Sequence, residues 1–181
     1  RDRTCPFIVL IDHREQLPYS FADLPPKAAW RGRLIVPTER ITLVTGDYTI
    51  CGLEDRFSLE RKELSDLFGT IGQARQRFEA ELERLNAMEF AAVIVEATLR
   101  EAWNPAAIDP EWRSRLSPRS VEGSIVAWEI RYPRVHWWHV GDRRAGEVRA
   151  FEAMEQFWKA VQHAEKAKEQ AVRATESVHD D

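Results

Sequence analysis

Asp47, held directly after Gly46, and Glu60, Arg61 and Lys62, closing the run Phe57-Ser58-Leu59-Glu60-Arg61-Lys62, have the types and spacing that best suit chemistry. In a β-strand successive side chains point to opposite faces, so Glu60 and Lys62 share a face and Arg61 points away. A carboxylate with an ammonium two residues on, facing a second carboxylate from a neighbouring strand, suits metal-assisted phosphodiester hydrolysis. The two acids would hold a hard divalent cation, and the lysine would orient or activate the attacking water. Two further groups extend this set. Asp12, Arg14 and Glu15 stand where the apolar run 7–12, FIVLID, should emerge, and ligand sites in open α/β sheets favour the carboxyl ends of strands. Asp66 lies one turn past Lys62, close enough to support it from behind.

Each signal has a plainer explanation. Glu-x-Lys alone is weak in a chain that is 31% charged, and the same residues can make a surface salt-bridge network around Arg14, Arg61 and Lys62. The combination is more specific: Asp-x-Arg-Glu at a strand end, Gly-Asp at a turn, and Glu-Arg-Lys followed by Asp66. His136 and His139 look like a metal pair, but three residues apart on a strand they face opposite ways and read as ordinary strand residues. Asp142, after Gly141, is better explained as a helix N-cap. His13 stays out of the catalytic set, because metal-activated water needs no histidine.

These residues must be positioned by a sheet. The continuous apolar runs 7–12 and 91–96 read as buried strands. Residues 41–44, 48–51 and 57–62 alternate and are separated by turns at Gly46 and Gly52, which predicts an antiparallel meander carrying the central acids. Residues 16–40, with Pro18, Pro25, Pro26 and Pro37, read mostly as loop. Leu34-Ile35-Val36 could make a short strand, and Trp30 is expected to anchor the segment. A short helix is predicted over 63–68, interrupted near Gly69, then a longer one over about 71–87 with Ile71, Phe78, Leu82 and Leu85 at helical spacing. Residues 97–118 read as irregular, with Trp103 and Trp112 expected to cover the core. Ser117-Pro118 should start a helix that Pro133 stops. A strand follows over 134–140, then a final helix carrying Val148, Phe151, Met154, Trp158 and Val161 on one face. The sum is mixed α/β, a central sheet flanked by helices. Residues 1–163 form one domain and 164–181 a charged helix end or tail expected to fray.

The bulk numbers agree with this. A chain of 181 residues with 44% apolar content can bury a proper core. No apolar run approaches a membrane span and no signal-peptide pattern opens the chain. Two cysteines, Cys5 and Cys51, make neither a disulfide framework nor a metal cluster. This composition fits a reducing, intracellular setting: cytoplasm or nucleoid, or the nucleus in a eukaryote. Net charge of −4 argues against nucleic acid as partner, yet a metal site concentrates acids of its own, and arginines cluster at 31 and 33, at 75 and 77, at 113, 115 and 119, and at 143, 144 and 149. Charge alone is neutral on the question.

At Ile11-Asp12-His13-Arg14-Glu15, Gly46-Asp47-Tyr48 and Glu60-Arg61-Lys62 with Asp66, the chain resembles the nuclease domain of the XPF-type structure-specific endonucleases. Every acidic and basic position of that family's motif is matched, and the likeness runs over about residues 7–160. It implies a restriction-endonuclease-like fold that cuts DNA with Mg2+ or Mn2+. By position, Asp47 and Glu60 look like the principal metal ligands, with Arg61 adding its backbone carbonyl. Lys62 would assist the water nucleophile and stabilise charge on the phosphate. Asp12 and Glu15 would complete the acidic cluster, Arg14 would contact phosphate or order the acids, and Asp66 would support Lys62. One departure stands out: no Gly-rich hairpin pattern of a helix-hairpin-helix module follows residue 160. That leaves open which part supplies branched-DNA specificity, and whether a homodimer or a heteromeric partner is used, with Trp103, Trp112 or the last helix as a surface. The alternative of another class is a nuclease-like module that only binds DNA or pairs with an active subunit. A third keeps the chemistry but targets RNA or works inside a larger complex.

Overall fold

A computed structural model describes residues 2–24, 32–107, 109, 111 and 113–177. Its centre is a six-stranded mixed sheet in the order β4-β2-β5-β6-β7-β8. The strands are β2 (Val9–Asp12), β4 (Thr38–Ile41), β5 (Tyr48–Ile50), β6 (Phe57–Lys62), β7 (Phe90–Val95) and β8 (Val135–His139). Two short strands, β1 (Arg3–Thr4) and β3 (Leu34–Ile35), pair separately. Among the described residues there are five α-helices, α1 (Leu64–Gly72), α2 (Arg75–Asn86), α3 (Leu99–Trp103), α4 (Pro118–Arg131) and α5 (Arg143–Ser177), and one 3-10 turn at Pro105–Ala107. Trp30 and Trp112 lie outside the described residues. Among the described residues no helix is long and apolar enough to cross a membrane.

The predicted meander forms only in part. β5 and β6 are antiparallel neighbours, with Tyr48 opposite Leu59. β2, however, lies between β4 and β5, parallel to β4 and antiparallel to β5. The physical reason is burial. The Val-Leu-Ile-Asp of β2 is buried at every position, whereas the Thr-Glu-Arg-Ile of β4 is mostly exposed. An apolar strand takes the interior of the sheet and a charged one its edge. β4 therefore also begins earlier than the predicted 41–44.

β6, β7 and β8 run parallel, and Lys62, Val95 and His139 share one level at their carboxyl ends. Side chains alternate between two cores. Leu59, Ala92 and Ile94 pack with Phe151, Met154 and Val161 of α5. Val93 and Val95 pack with Leu67, Phe78, Leu82, Val121 and Trp128 of α1, α2 and α4. Glu60 and Lys62 fall on the second face and Arg61 on the first, as strand alternation requires.

Helix ends depart from the reading in instructive ways. α1 continues across Gly69, and Ile71 belongs to it; the break falls at Gln73 and Ala74, before α2. α3 sits in the stretch read as irregular, started by a capping box between Thr98 and Glu101. Trp103 at its end is 48% exposed and does not cover the core. Ser117 caps α4, and Asp142 Oδ1 accepts the Ala145 N–H at 2.7 Å, both as predicted. Of the stretch read as a charged helix end or tail, residues 164–177 continue α5, which runs to Ser177, and 178–181 lie outside the described residues. The final turns of α5 are rich in Ala, Glu, Lys and Gln, which favour helix without a buried face.

Candidate active site

Asp47 is placed by main chain on both sides. Its N–H donates to Leu59 O at 2.8 Å and its carbonyl accepts from Asp12 N at 2.8 Å. The preceding Gly46 has φ of +72°, and a Cβ there would stand 2.0 Å from Ser58 Oγ and 3.0 Å from Leu59 O. Only glycine lets the chain turn this close to β6. Asp47 Oδ2 then accepts the Arg61 N–H at 2.7 Å, so the acid is clamped across the β5–β6 pair. The Arg61 carbonyl lies on that same strand edge, since both main-chain groups of a strand residue face one side.

Glu60 is buried, 5% exposed, beside this acid. Lys62 Nζ donates to Glu60 Oε1 at 2.5 Å and sits 5.0 Å over the Phe78 ring. Burial, with the neighbouring charges of Glu15 and Glu81, raises the Asp47 carboxyl to about 7 despite the Arg61 N–H and Lys62. Burial and the charge of Asp47 raise Glu60 well above the usual carboxylate range. Burial pulls Lys62 down, but Glu60, Asp47 and Glu81 outweigh it and raise the ammonium above its usual value. The site holds more negative charge than its one hydrogen-bonded cation offsets.

The other predicted residues have further partners of their own. Asp12, 1% exposed, accepts from Arg14 N, Arg14 Nε, Arg14 Nη2 and Leu43 N at 2.7–2.8 Å. Burial opposes its ionisation, yet these Arg14 and main-chain bonds bring it down to about 2. Arg14 thus orders an acid, and its Nη2 also reaches Leu43 O at 2.9 Å. Glu15 Oε1 accepts from Leu17 N at 2.9 Å and from Arg61 Nη1 at 3.3 Å. Asp66 is exposed on the first turn of α1 and shares no hydrogen bond with Lys62, whose ammonium meets Glu60 instead. Among the described residues no three His, Cys, Asp or Glu side chains converge enough to hold an ion. Asp47 and Glu60 act on each other through charge, and Glu15 and Glu81 add theirs to Asp47.

Two groups went unread in the sequence. Glu81 Oε1 on α2 accepts the Gly46 N–H at 3.2 Å. Its signal was a charge one residue before Leu82 and three after Phe78, on the apolar stripe. The second is the Arg61 side chain's own shell on the opposite face. Glu96 takes Arg61 Nε and Nη2 at 2.7 and 2.8 Å, Glu63 takes Nη2 at 2.6 Å, and Tyr19 OH donates to Glu96 Oε1 at 2.8 Å. Strand alternation placed Arg61 away from the acids, but nothing local named its partners.

The donor set fits a hard divalent cation. Asp47 Oδ1 and Glu60 Oε2 have no hydrogen-bond partner among the described residues. Magnesium commonly takes one or two carboxylates, keeping water and substrate phosphate oxygens for its remaining positions.

A profile of the ERCC4 domain matches residues 11–145, which include Asp12, Asp47, Glu60 and Lys62. Among solved structures, XPF from Aeropyrum pernix is similar, with TM-score 0.55 and 21% identity over 83% of this chain and 60% of that one. XPF from Aeropyrum pernix in complex with DNA gives TM-score 0.56 and 20% identity over 85% of this chain and 66% of that one. The chain thus spans less than two thirds of these solved chains, and the likeness shows the fold. No curated protein matches the sequence.

Proposed function

The chain belongs to the ERCC4 domain family, and from that premise we propose that it is a divalent-metal-dependent DNA endonuclease acting at junctions or single-stranded segments. The observation that carries this is the placing of Asp47 against β6, its Oδ2 on the Arg61 N–H at 2.7 Å, beside the buried Glu60 that Lys62 bonds at 2.5 Å. Such an arrangement is costly without a cation and stable with one. Support for DNA as substrate comes from the relative solved in complex with DNA.

In this reading Asp47 and Glu60 hold Mg2+ or Mn2+, with the Arg61 carbonyl beside them. When bound, the cation offsets charge developing on the phosphate and acidifies water. Lys62 stands beside the pair, and the charges of Glu60, Asp47 and Glu81 favour its ammonium form. Held on Glu60 at 2.5 Å, its ammonium would orient or activate water and stabilise phosphate charge. Asp12 and Arg14 hold the end of β2 in place, and Arg61 fixes β6. A surface open to DNA or to a partner chain would add grip on branched substrates. Trp103, 48% exposed on α3, offers one such surface.

The test is incubation with single-stranded, duplex, flap and fork DNA. Cutting is expected on adding magnesium or manganese, stopping with a chelator, and favouring the branched or single-stranded substrates. Binding of DNA without cleavage by either ion would overturn the reading.

A further inference from the structure

Glu81 is an unusual residue to find where it lies. It projects from the apolar stripe of α2, between Phe78 and Leu82, both buried. From there it reaches the Gly46–Asp47 turn, where its Oε1 accepts the Gly46 N–H at 3.2 Å. A glutamine would make that hydrogen bond equally well, since its carbonyl oxygen accepts in the same way. A carboxylate instead adds a third negative charge beside Asp47 and Glu60, and its field reaches both acids, Lys62 and Arg14. Like charges at this spacing oppose folding unless something positive joins them. Arg14 already forks onto Asp12, and Lys62 is bonded to Glu60. One ammonium cannot offset Asp47, Glu60 and Glu81 once all three are ionised, so a cation that joins them is favoured.

We propose that Glu81 is a positioning residue of this site: it holds the Gly46–Asp47 turn against β6 and supplies the negative field that draws a divalent cation to the Asp47–Glu60 pair. The inference rests on the metal-dependent reading above. It adds that a helix residue outside the family motif sets the site's affinity for its ion. Glu81 does not touch the reacting atoms; it acts through Gly46, which leads directly into Asp47, and through charge.

The experiment compares the unchanged chain, Glu81→Gln and Glu81→Ala by manganese titration followed by electron paramagnetic resonance, without DNA, and by thermal melts in EDTA. Glu81→Gln keeps the acceptor and removes the charge. It should melt no lower than the unchanged chain yet bind manganese about tenfold more weakly. Glu81→Ala should bind more weakly still, and melt lower through loss of the turn contact. In cleavage assays Glu81→Gln should require more manganese for half-maximal rate, with the rate at saturating manganese largely kept. Equal manganese affinity in Glu81→Gln and the unchanged chain, whatever their melting temperatures, overturns the inference while leaving the nuclease reading intact. Failure of the unchanged chain to bind manganese overturns both.

Discussion

Strand β6 carries ionic groups on its two faces, and they are satisfied to very different degrees. On the α5 side the Arg61 guanidinium has Glu96, Glu63 and Glu15 around it, with the Tyr19 ring 5.8 Å away and the Tyr19 hydroxyl on Glu96. On the α2 side Lys62 is the one cation hydrogen-bonded to either of Asp47 and Glu60 among the described residues. Burial alone does not explain the contrast, because Arg61 is 8% exposed and Glu60 5%. The difference is completeness. A buried ion whose hydrogen bonds are all made holds a fold together, whereas one with too few partners is stable only when a ligand supplies the rest. Side-chain alternation along six residues is enough to put the two regimes back to back.

That contrast predicts opposite responses to substitution. Lys62→Ala and Asp47→Asn should each lower DNA cutting by about 10²–10³-fold or more. Asp47→Asn should also raise the melting temperature in EDTA. It removes one of the crowded charges while its side-chain oxygen can still accept the Arg61 N–H. Function and stability are traded at such sites. Melts and cutting rates of the same preparations check both halves; a variant that loses activity and also melts much lower would show that this face is structural as well.

Arg61→Ala should behave in the reverse way. Removing the guanidinium takes from Glu96, 7% exposed in its side chain, its hydrogen-bonded cation and leaves it the Tyr19 hydroxyl and Arg143 at 4.0 Å. Breaking a buried pair by deleting one partner costs about 3–5 kcal/mol. Chemical denaturation measures this directly. A loss under about 1 kcal/mol would mean that the network is worth no more than a surface ion pair. Gly46→Ala should come next, at about 1–3 kcal/mol. The new methyl would meet Ser58 Oγ and the Leu59 carbonyl at a positive φ. Because Asp47 follows immediately, cutting should fall with it.

Much of this arrangement was legible in the sequence, and the parts that were not share a cause. The β6 run, the Gly46 turn and the opposed faces of Glu60 and Arg61 are local properties of the chain. So are the caps of α4 and α5, where one side chain and one backbone N–H decide the matter. The insertion of β2 between β4 and β5 is a pairing of segments about thirty residues apart, settled by which strand can be buried on both faces. The partners of Arg61, at Glu96 and Tyr19, are brought in from other elements. Likewise, motif spacing cannot reveal that Arg14 and Leu43 use the Asp12 oxygens. Glu81 was visible as a charge on an apolar stripe, but what it faced was not.

The smallest effect expected is a pH dependence, and its sign separates two acids rather than two faces. Asp12 is held down to about 2 by Arg14 and main-chain donors that overcome its burial. Its stabilising contribution is present above the ordinary carboxylate value of 3.8 and fades as pH falls through about 2. Asp47 runs the other way. Burial, Glu15 and Glu81 raise it from 3.8 to about 7. Between those values the unfolded chain has released its proton and the folded chain has not. Its contribution is therefore whole below about pH 4 and lost as pH rises through 7. Glu60, raised in the same direction, adds to the decline. Melting temperature in EDTA should thus fall by a few degrees from pH 5 to pH 8, and Asp47→Asn should flatten that slope. Manganese should flatten it too, because a bound cation favours the ionised carboxylates that burial disfavours. A slope that persists unchanged in Asp47→Asn would move the excess charge away from this pair, and with it the case that Asp47 and Glu60 are where the cation sits.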